Sequence, residues 1–301
     1  MGPARVSTVV LSWLLLAGCG QLGYSGDTGG RGNPGRAIDG NAEKPVDSGA
    51  NAKPAPTIYA HATLDDGASI KAPSQCSATI GAGGNLAEPP YVLKGKCNGA
   101  GKSPTIVEDL ERSNYLSFTV DPSESVAGER DRAELAYTRN FPFYEEMHIG
   151  FRLMIPPGTD ITDEFFYALQ LWQCAGQAPI AGVRMTRGQS HTINFMTRNE
   201  IDGKSRAHFE LVPGQWHAFA LTVSPDPVGP ALFRVYADGR LLVESLVRYG
   251  FGAVDACGKA PNKYEYRVKF GIYKGGEPGR QFTVNYDDFV IADSLEAVAS
   301  W

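Results

Sequence analysis

The stretch Arg267-Val268-Lys269-Phe270-Gly271-Ile272-Tyr273 alternates: Val268, Phe270 and Ile272 fall on one side, Arg267, Lys269 and Tyr273 on the other. A period of two, carried by β-branched and aromatic residues, is the signature of a strand with one buried and one polar face. The apolar side needs a second layer to cover it. The same reading extends outward along the chain. In Arg132-Ala133-Glu134-Leu135-Ala136-Tyr137, Arg132 and Glu134 lie opposite Ala133, Leu135 and Tyr137; in Leu169-Gln170-Leu171-Trp172, Gln170 and Trp172 lie opposite the two leucines. Beyond residue 110, Gly, Pro and Asp separate twelve such runs: Tyr115–Val120, Arg132–Thr138, Met147–Ile155, Phe166–Cys174, Gly182–Thr186, His191–Arg198, His208–Val212, Trp216–Ser224, Ala231–Ala237, Arg240–Val247, Tyr266–Tyr273 and Gln281–Ala292. No segment of ten or more residues carries a 3.6 period with caps. Asp238-Gly239 predicts a type I′ hairpin, whose two central positions both need positive φ. The expected class is all-β, a sandwich of two antiparallel sheets.

Composition bounds the function. The chain has 301 residues, 43% hydrophobic and 20% charged, with 35 Gly, which excludes wholesale disorder, a coiled coil, a collagen and a many-spanning membrane protein. Lys and Arg number 28 against 33 Asp and Glu, a net of −5, so no broad cationic field exists to hold nucleic acid.

The first residues are an address. Arg5 precedes the apolar run Val9–Leu16, too short to span a bilayer, and Leu16-Ala17-Gly18-Cys19 resembles a bacterial lipobox. That resemblance implies cleavage behind Gly18 and lipidation of Cys19. Gly20, where an Asp would signal retention in the inner membrane, points to the outer membrane of a bacterial cell envelope. Met1-Gly2 lacks the Ser or Thr of a myristoylation signal, since Val6 occupies that place. From Gly20 to Thr57 the chain is Gly, Pro, Asn, Asp, Ser and Ala with few large apolar residues, the composition of a tether. The expected organisation is a signal peptide over 1–18, a lipidated tether over 19–57 and a folded domain over 58–301, touching the membrane through its lipid alone.

Without Cys19, four cysteines remain: Cys76, Cys97, Cys174 and Cys257. They show neither C-x-x-C spacing nor a histidine at a ligand interval, which argues against zinc, and an even number in an exported chain argues for two disulfides. Of three connectivities, Cys76–Cys97 with Cys174–Cys257 is preferred: the first pair brackets one Gly-rich excursion and the second can tie two long loops.

Three of the strands carry a resemblance. The chain resembles the jelly-roll polysaccharide lyases, a set that includes alginate, glucuronan and heparin lyases: Arg132-Ala133-Glu134-Leu135, Gln170-Leu171-Trp172 and Arg267-Val268-Lys269-Phe270-Gly271-Ile272-Tyr273 resemble, in the same order, the R-[ST]-E-[LV], Q-[IV]-H and Y-F-K-A-G-x-Y strands of its alginate enzymes. His148-Ile149-Gly150-Phe151-Arg152 running into Ile155-Pro156-Pro157, Gly214-Gln215-Trp216-His217 and Tyr236-Ala237-Asp238-Gly239 are similar to further members. The departures are Trp172 for the motif histidine, Ala133 for the small hydroxyl residue and Arg267 for the first tyrosine.

The resemblance implies a concanavalin-like β-jelly roll that cleaves an acidic polysaccharide by β-elimination at a uronic acid. It implies no cofactor, leaving a structural calcium open, and a monomer. Arg132 and Gln170 are suited to neutralising the sugar carboxylate, Tyr273 to moving the C5 proton, and Lys269 to lending it positive charge. Glu134 is expected to orient Arg132, Trp172 to serve as sugar platform or packing, and Arg152, His191, Asn194, Arg184 and Arg198 to extend substrate binding. His148 and His217 read as structural. The alternative from another class is a non-catalytic glycan-binding surface lipoprotein on the same sandwich. A paired-carboxylate hydrolase finds no Glu-x-Asp-x-x-Glu strand.

Overall fold

A computed structural model describes residues 55–62, 69–70, 77–79, 95–97, 104–109, 114–121, 132–159, 165–174, 177–186, 188, 191–199, 202–252, 264–275 and 281–299. Cys19, Cys76, Cys257, the expected leader and the tether up to residue 54 lie outside them. The strands are β1 (Ile58–Ala62), β2 (Ser69–Ile70), β3 (Ser77–Thr79), β4 (Gly95–Cys97), β5 (Thr105–Val107), β6 (Tyr115–Val120), β7 (Arg132–Pro142), β8 (Met147–Met154) and β9 (Phe165–Trp172). They continue as β10 (Ala181–Met185), β11 (Thr192–Asn199), β12 (Asp202–Glu210), β13 (His217–Val223), β14 (Asp226–Ala237), β15 (Arg240–Tyr249), β16 (Glu265–Gly275) and β17 (Phe282–Ala292), before a short helix α1 (Leu295–Val298).

These strands form two antiparallel sheets. The front sheet runs β12-β11-β10-β9-β16-β7-β4-β3-β2; the back sheet runs β15-β14-β13-β8-β17-β6-β5, with β1 also on β17. Chain neighbours β7 and β8, or β16 and β17, sit in opposite sheets, so the chain crosses between layers as a jelly roll does. Between the sheets lies one apolar core in which Phe118 of β6 meets Phe270 of β16 edge-on, at 5.7 Å, and Phe270 stacks on Phe289 of β17 at 4.1 Å. Val268, Phe270 and Ile272 are all in this core, as their alternation requires.

Local signals set several boundaries. Asp238 and Gly239 have φ of 47° and 74°, the expected hairpin between β14 and β15. Asp238 also braces His217: its Oδ2 stands 2.8 Å from His217 Nδ1, and His217 Nε2 accepts from Val212 N at 3.0 Å. His148 is buried against Thr222, 2.9 Å from its Oγ1. Both histidines are structural, as expected. The expected strand His208–Val212 is instead β12, starting at Asp202; its residues from Gly203 to Ser205 are exposed at a sheet edge, where no apolar alternation marks a strand. Cys174, just beyond β9, is disulfide-bonded.

Part of the outer face of the back sheet is covered by α1. Ser294 caps α1 by accepting from Ala297 N at 3.3 Å. Val298 then packs with Ala220 of β13 and Val290 and Ala292 of β17 in a small second cluster. It lies directly over Gly150 of β8, where an added Cβ would stand 3.0 Å from the Val298 Cβ.

Candidate active site on the front sheet

The outer face of the front sheet is open and forms a cleft of about 660 Å³. Four strands supply its five cations: Arg132 from β7, Arg267 and Lys269 from β16, Arg184 from β10 and Arg198 from β11, with no Asp or Glu among the described lining residues. A chain of net negative charge has therefore concentrated cations in one concavity, an arrangement that attracts anions.

Strand register brings the central groups together. Tyr273 pairs with Arg132 across β16 and β7, and Lys269 pairs with Gln170 across β16 and β9. The Arg132 guanidinium lies 4.6 Å from the centroid of the Tyr273 ring. Tyr273 is 6.2 Å from Tyr167, over whose ring Arg184 reaches at 5.5 Å while lying 4.3 Å from Phe165. Two guanidiniums thus flank a run of rings across four strands, each resting over an aromatic face. Arg267 is fixed separately: its Nε donates to Asn140 Oδ1 at 3.2 Å, and Asn140 in turn donates to Glu265 at 2.9 Å.

Tyr167 and Phe165 reach the cleft because β9 breaks its own alternation. Ala168 and Leu169 both point into the core, and β9 gains a residue on β10 between the pairs Val183–Leu169 and Arg184–Tyr167. This bulge turns the residues before Ala168 to the opposite face from the one a straight strand would give them. The back sheet holds it: Tyr286 of β17 donates its hydroxyl to Ala168 O at 2.7 Å and shares it with Gly271 O at 3.2 Å.

Beneath the floor lies a buried acid. Glu134, 1% exposed, is hydrogen-bonded through Oε1 to the Gln170 amide nitrogen, and its Oε2 has no hydrogen-bond partner. Burial pushes its pKa up to about 7, against the pull of the Lys269 and Arg132 charges. Burial likewise lowers the pKa of Lys269, which Glu134 opposes and Arg132 and Arg267 reinforce. The Lys269 ammonium lies 4.3 Å from the centroid of the Trp172 ring.

Of the residues singled out from sequence, Tyr273, Arg132, Gln170, Lys269, Trp172, Arg184 and Arg198 line this cleft, and Glu134 sits under it. Three assignments are corrected. Glu134 hydrogen-bonds Gln170, and no hydrogen bond to Arg132 accompanies it. Arg152 is on β8 in the other sheet, with Nε 3.3 Å from Asp288. His191 and Asn194 do not line the cleft: His191 is in a turn at φ 61°, 3.3 Å from Thr159 O, and Asn194 donates to Thr186 at 2.9 Å. Phe165, Tyr167, Gln177, Pro179 and Arg267 also line it and were not singled out as site residues. The bulge hides the first two from a parity count, and Gln177 and Pro179 lie in the connection between β9 and β10. Among the described residues, no three of His, Cys, Asp and Glu gather as a metal site.

No protein family matches the chain, and no curated protein matches it. Several solved structures with a similar fold are polysaccharide lyases. An endo-β-1,4-glucuronan lyase from the fungus Trichoderma reesei aligns with a TM-score of 0.49 at 14% identity, covering 65% of this chain and 88% of that one. The alginate lyase Aly36B aligns at 0.45 and 8% identity over 59% and 80% of the two chains. The alginate lyase AlgAT5, from polysaccharide lyase family 7, aligns at 0.42 and 11% identity over 59% and 77%.

Proposed function

We propose that the chain is a polysaccharide lyase that cleaves a uronic-acid polymer by β-elimination. One observation carries this: Arg132, Gln170, Lys269 and Tyr273 line one cationic cleft, with the Tyr273 ring held under the Arg132 guanidinium. The sugar C5 proton is a poor acid until the adjacent carboxylate is neutralised. Arg132 and the Gln170 amide hold that carboxylate and stabilise the enolate that develops on it. Tyr273, acting as the phenolate, takes the C5 proton on its oxygen, the C–H electron pair forms the C4–C5 double bond, and the C4–O bond breaks. The departing oxygen then recovers a proton from Tyr273. Lys269 keeps the floor positive, and the scheme calls on no cofactor.

A second reading, a glycan-binding protein without catalysis, draws on one feature: no histidine is among the lining residues, Trp172 taking the place of the motif histidine. Incubation with alginate, glucuronan and heparin-type polymers separates the two. A lyase gives an unsaturated product that absorbs in the ultraviolet, whereas binding without that absorbance leaves the glycan-binding reading.

The same reading includes the address. Lipidated Cys19 would tether the domain to the cell envelope, and Cys174–Cys257 and Cys76–Cys97 would be its disulfides. Cys19→Ser should release the protein from the membrane fraction, and unchanged partitioning of that variant counts against the anchor.

A further inference from the structure

Gln170 and Glu134 are on strands that do not touch. β16 passes between β9 and β7, and the residue it presents opposite Glu134 is Gly271. Gly271 has φ +118°, and a Cβ built on it would point toward Ala133 O and the Phe118 ring, away from the cleft. The floor above β16 is therefore bare at this point. The Gln170 amide crosses the gap and meets Glu134.

A carboxyl facing a primary amide has two arrangements. An ionised carboxylate only accepts, so it holds the amide nitrogen. A protonated carboxyl has an O–H to give, and the amide oxygen is its acceptor. We propose that Glu134 and Gln170 form a two-position switch: when a ligand carboxylate enters the cleft, Glu134 takes a proton from solvent and donates it in a hydrogen bond to Gln170 Oε1, turning both Nε2 hydrogens toward the ligand. Glu134 is then a positioning residue, acting on the ligand only through Gln170. The identity of the ligand as a uronate rests on the function proposed above; the switch itself does not.

Two observations and one electrostatic argument support it. Glu134 is buried with an unpartnered Oε2, so the ionised form is incompletely satisfied where it lies. Its pKa of about 7 leaves both forms populated at neutral pH. An entering anion adds like charge and raises that proton affinity further. The groups that face Glu134 are Lys269 from β16, Arg132 from its own strand and the Tyr286 hydroxyl from β17 below, with Arg267 acting on Lys269. Lys269 is the rival proton acceptor, because burial has lowered its own affinity for a proton and an anion would restore it.

The test begins with the unliganded protein. The NMR signals of the Gln170 side-chain amide should move with pH about a midpoint near 7, and Glu134→Gln should remove the movement. An amide signal that does not titrate across the neutral range overturns the switch. Addition of a glucuronate or mannuronate tetrasaccharide should raise the midpoint by about one pH unit or more. Calorimetry in two buffers of different ionisation heat should read proton uptake in the parent and none in Glu134→Gln. Uptake that persists undiminished in that variant assigns the proton to Lys269 and overturns the proposal. Infrared difference spectra of the unmutated protein read the same proton as a carboxylate band lost and a carboxyl band gained on ligand addition. Oligosaccharide binding with an unresponsive amide leaves the lyase reading and removes the switch; a titrating amide with no oligosaccharide bound does the reverse.

Discussion

On the back sheet, the outward residues Gly150, Ala220, Val290 and Ala292 are small or apolar, and Val298 closes over them. On the front sheet, the outward residues of β7, β16 and β9 include Arg132, Lys269, Gln170 and Tyr273, and they line an open cleft. Both faces come from the same two-residue period. Beneath Val298 the back face resolves it by apolar burial, which carries no electrostatic cost at that patch. The front face keeps Glu134 and Lys269 nearly as buried as a core residue yet charged or chargeable, and this costs stability unless a ligand offsets it. The difference separates what holds the domain together from what it offers to a partner.

The largest effect that could break this division is at Tyr273. Tyr273→Phe should lower turnover on a uronate polymer by on the order of 10²–10⁴ while leaving polymer affinity nearly intact; Arg132→Ala should damage both. Steady-state rates beside direct binding measurements check it, and a Phe variant as active as the parent would end the proposed mechanism.

The next effect is the cost of the buried acid. Glu134 has its folded-state pKa raised from 4.5 to about 7, so between those values the folded protein keeps a proton that the unfolded chain has lost. Its contribution to stability therefore falls as pH rises through that window and levels off above it. Relative to Glu134→Gln, the parent should lose about 3 kcal/mol across it, read by urea unfolding at a series of pH values. A difference between the two that is flat with pH would show that the front face carries no such cost.

Smaller changes belong to the back face. Gly150→Val places methyl groups against Val298 and should cost about 1–3 kcal/mol, with a lower Tm and unchanged polymer binding. Binding that weakens in step with stability would show that the faces are coupled. Arg152→Ala removes a half-exposed ion pair with Asp288 and should cost at most about 1 kcal/mol, again without effect on binding.

The sequence told these faces apart where strands run straight. On β16 and on the first half of β7, alternation alone separates core from cleft, and Tyr273 falls on the face of Arg132, Lys269 and Gln170 as parity predicts. It misled where the backbone departs from the period. Counting by twos from Gln170 puts Tyr167 in the core, because nothing in Tyr167-Ala168-Leu169 announces that two consecutive residues turn inward. Arg152 shows a different limit: alternation says that a residue faces outward but not from which sheet. The strand expected from His191 starts one residue later, because His191 occupies a left-handed turn just before β11.

Tyr286 ties the floor of the cleft to the opposite layer. Its hydroxyl belongs to one layer, and the two carbonyls it holds, Ala168 O and Gly271 O, belong to the other. A cleft braced from beneath in this way exists in full only where both sheets are in place, so a ligand that fits it binds the folded form over the unfolded chain and stabilises it by mass action.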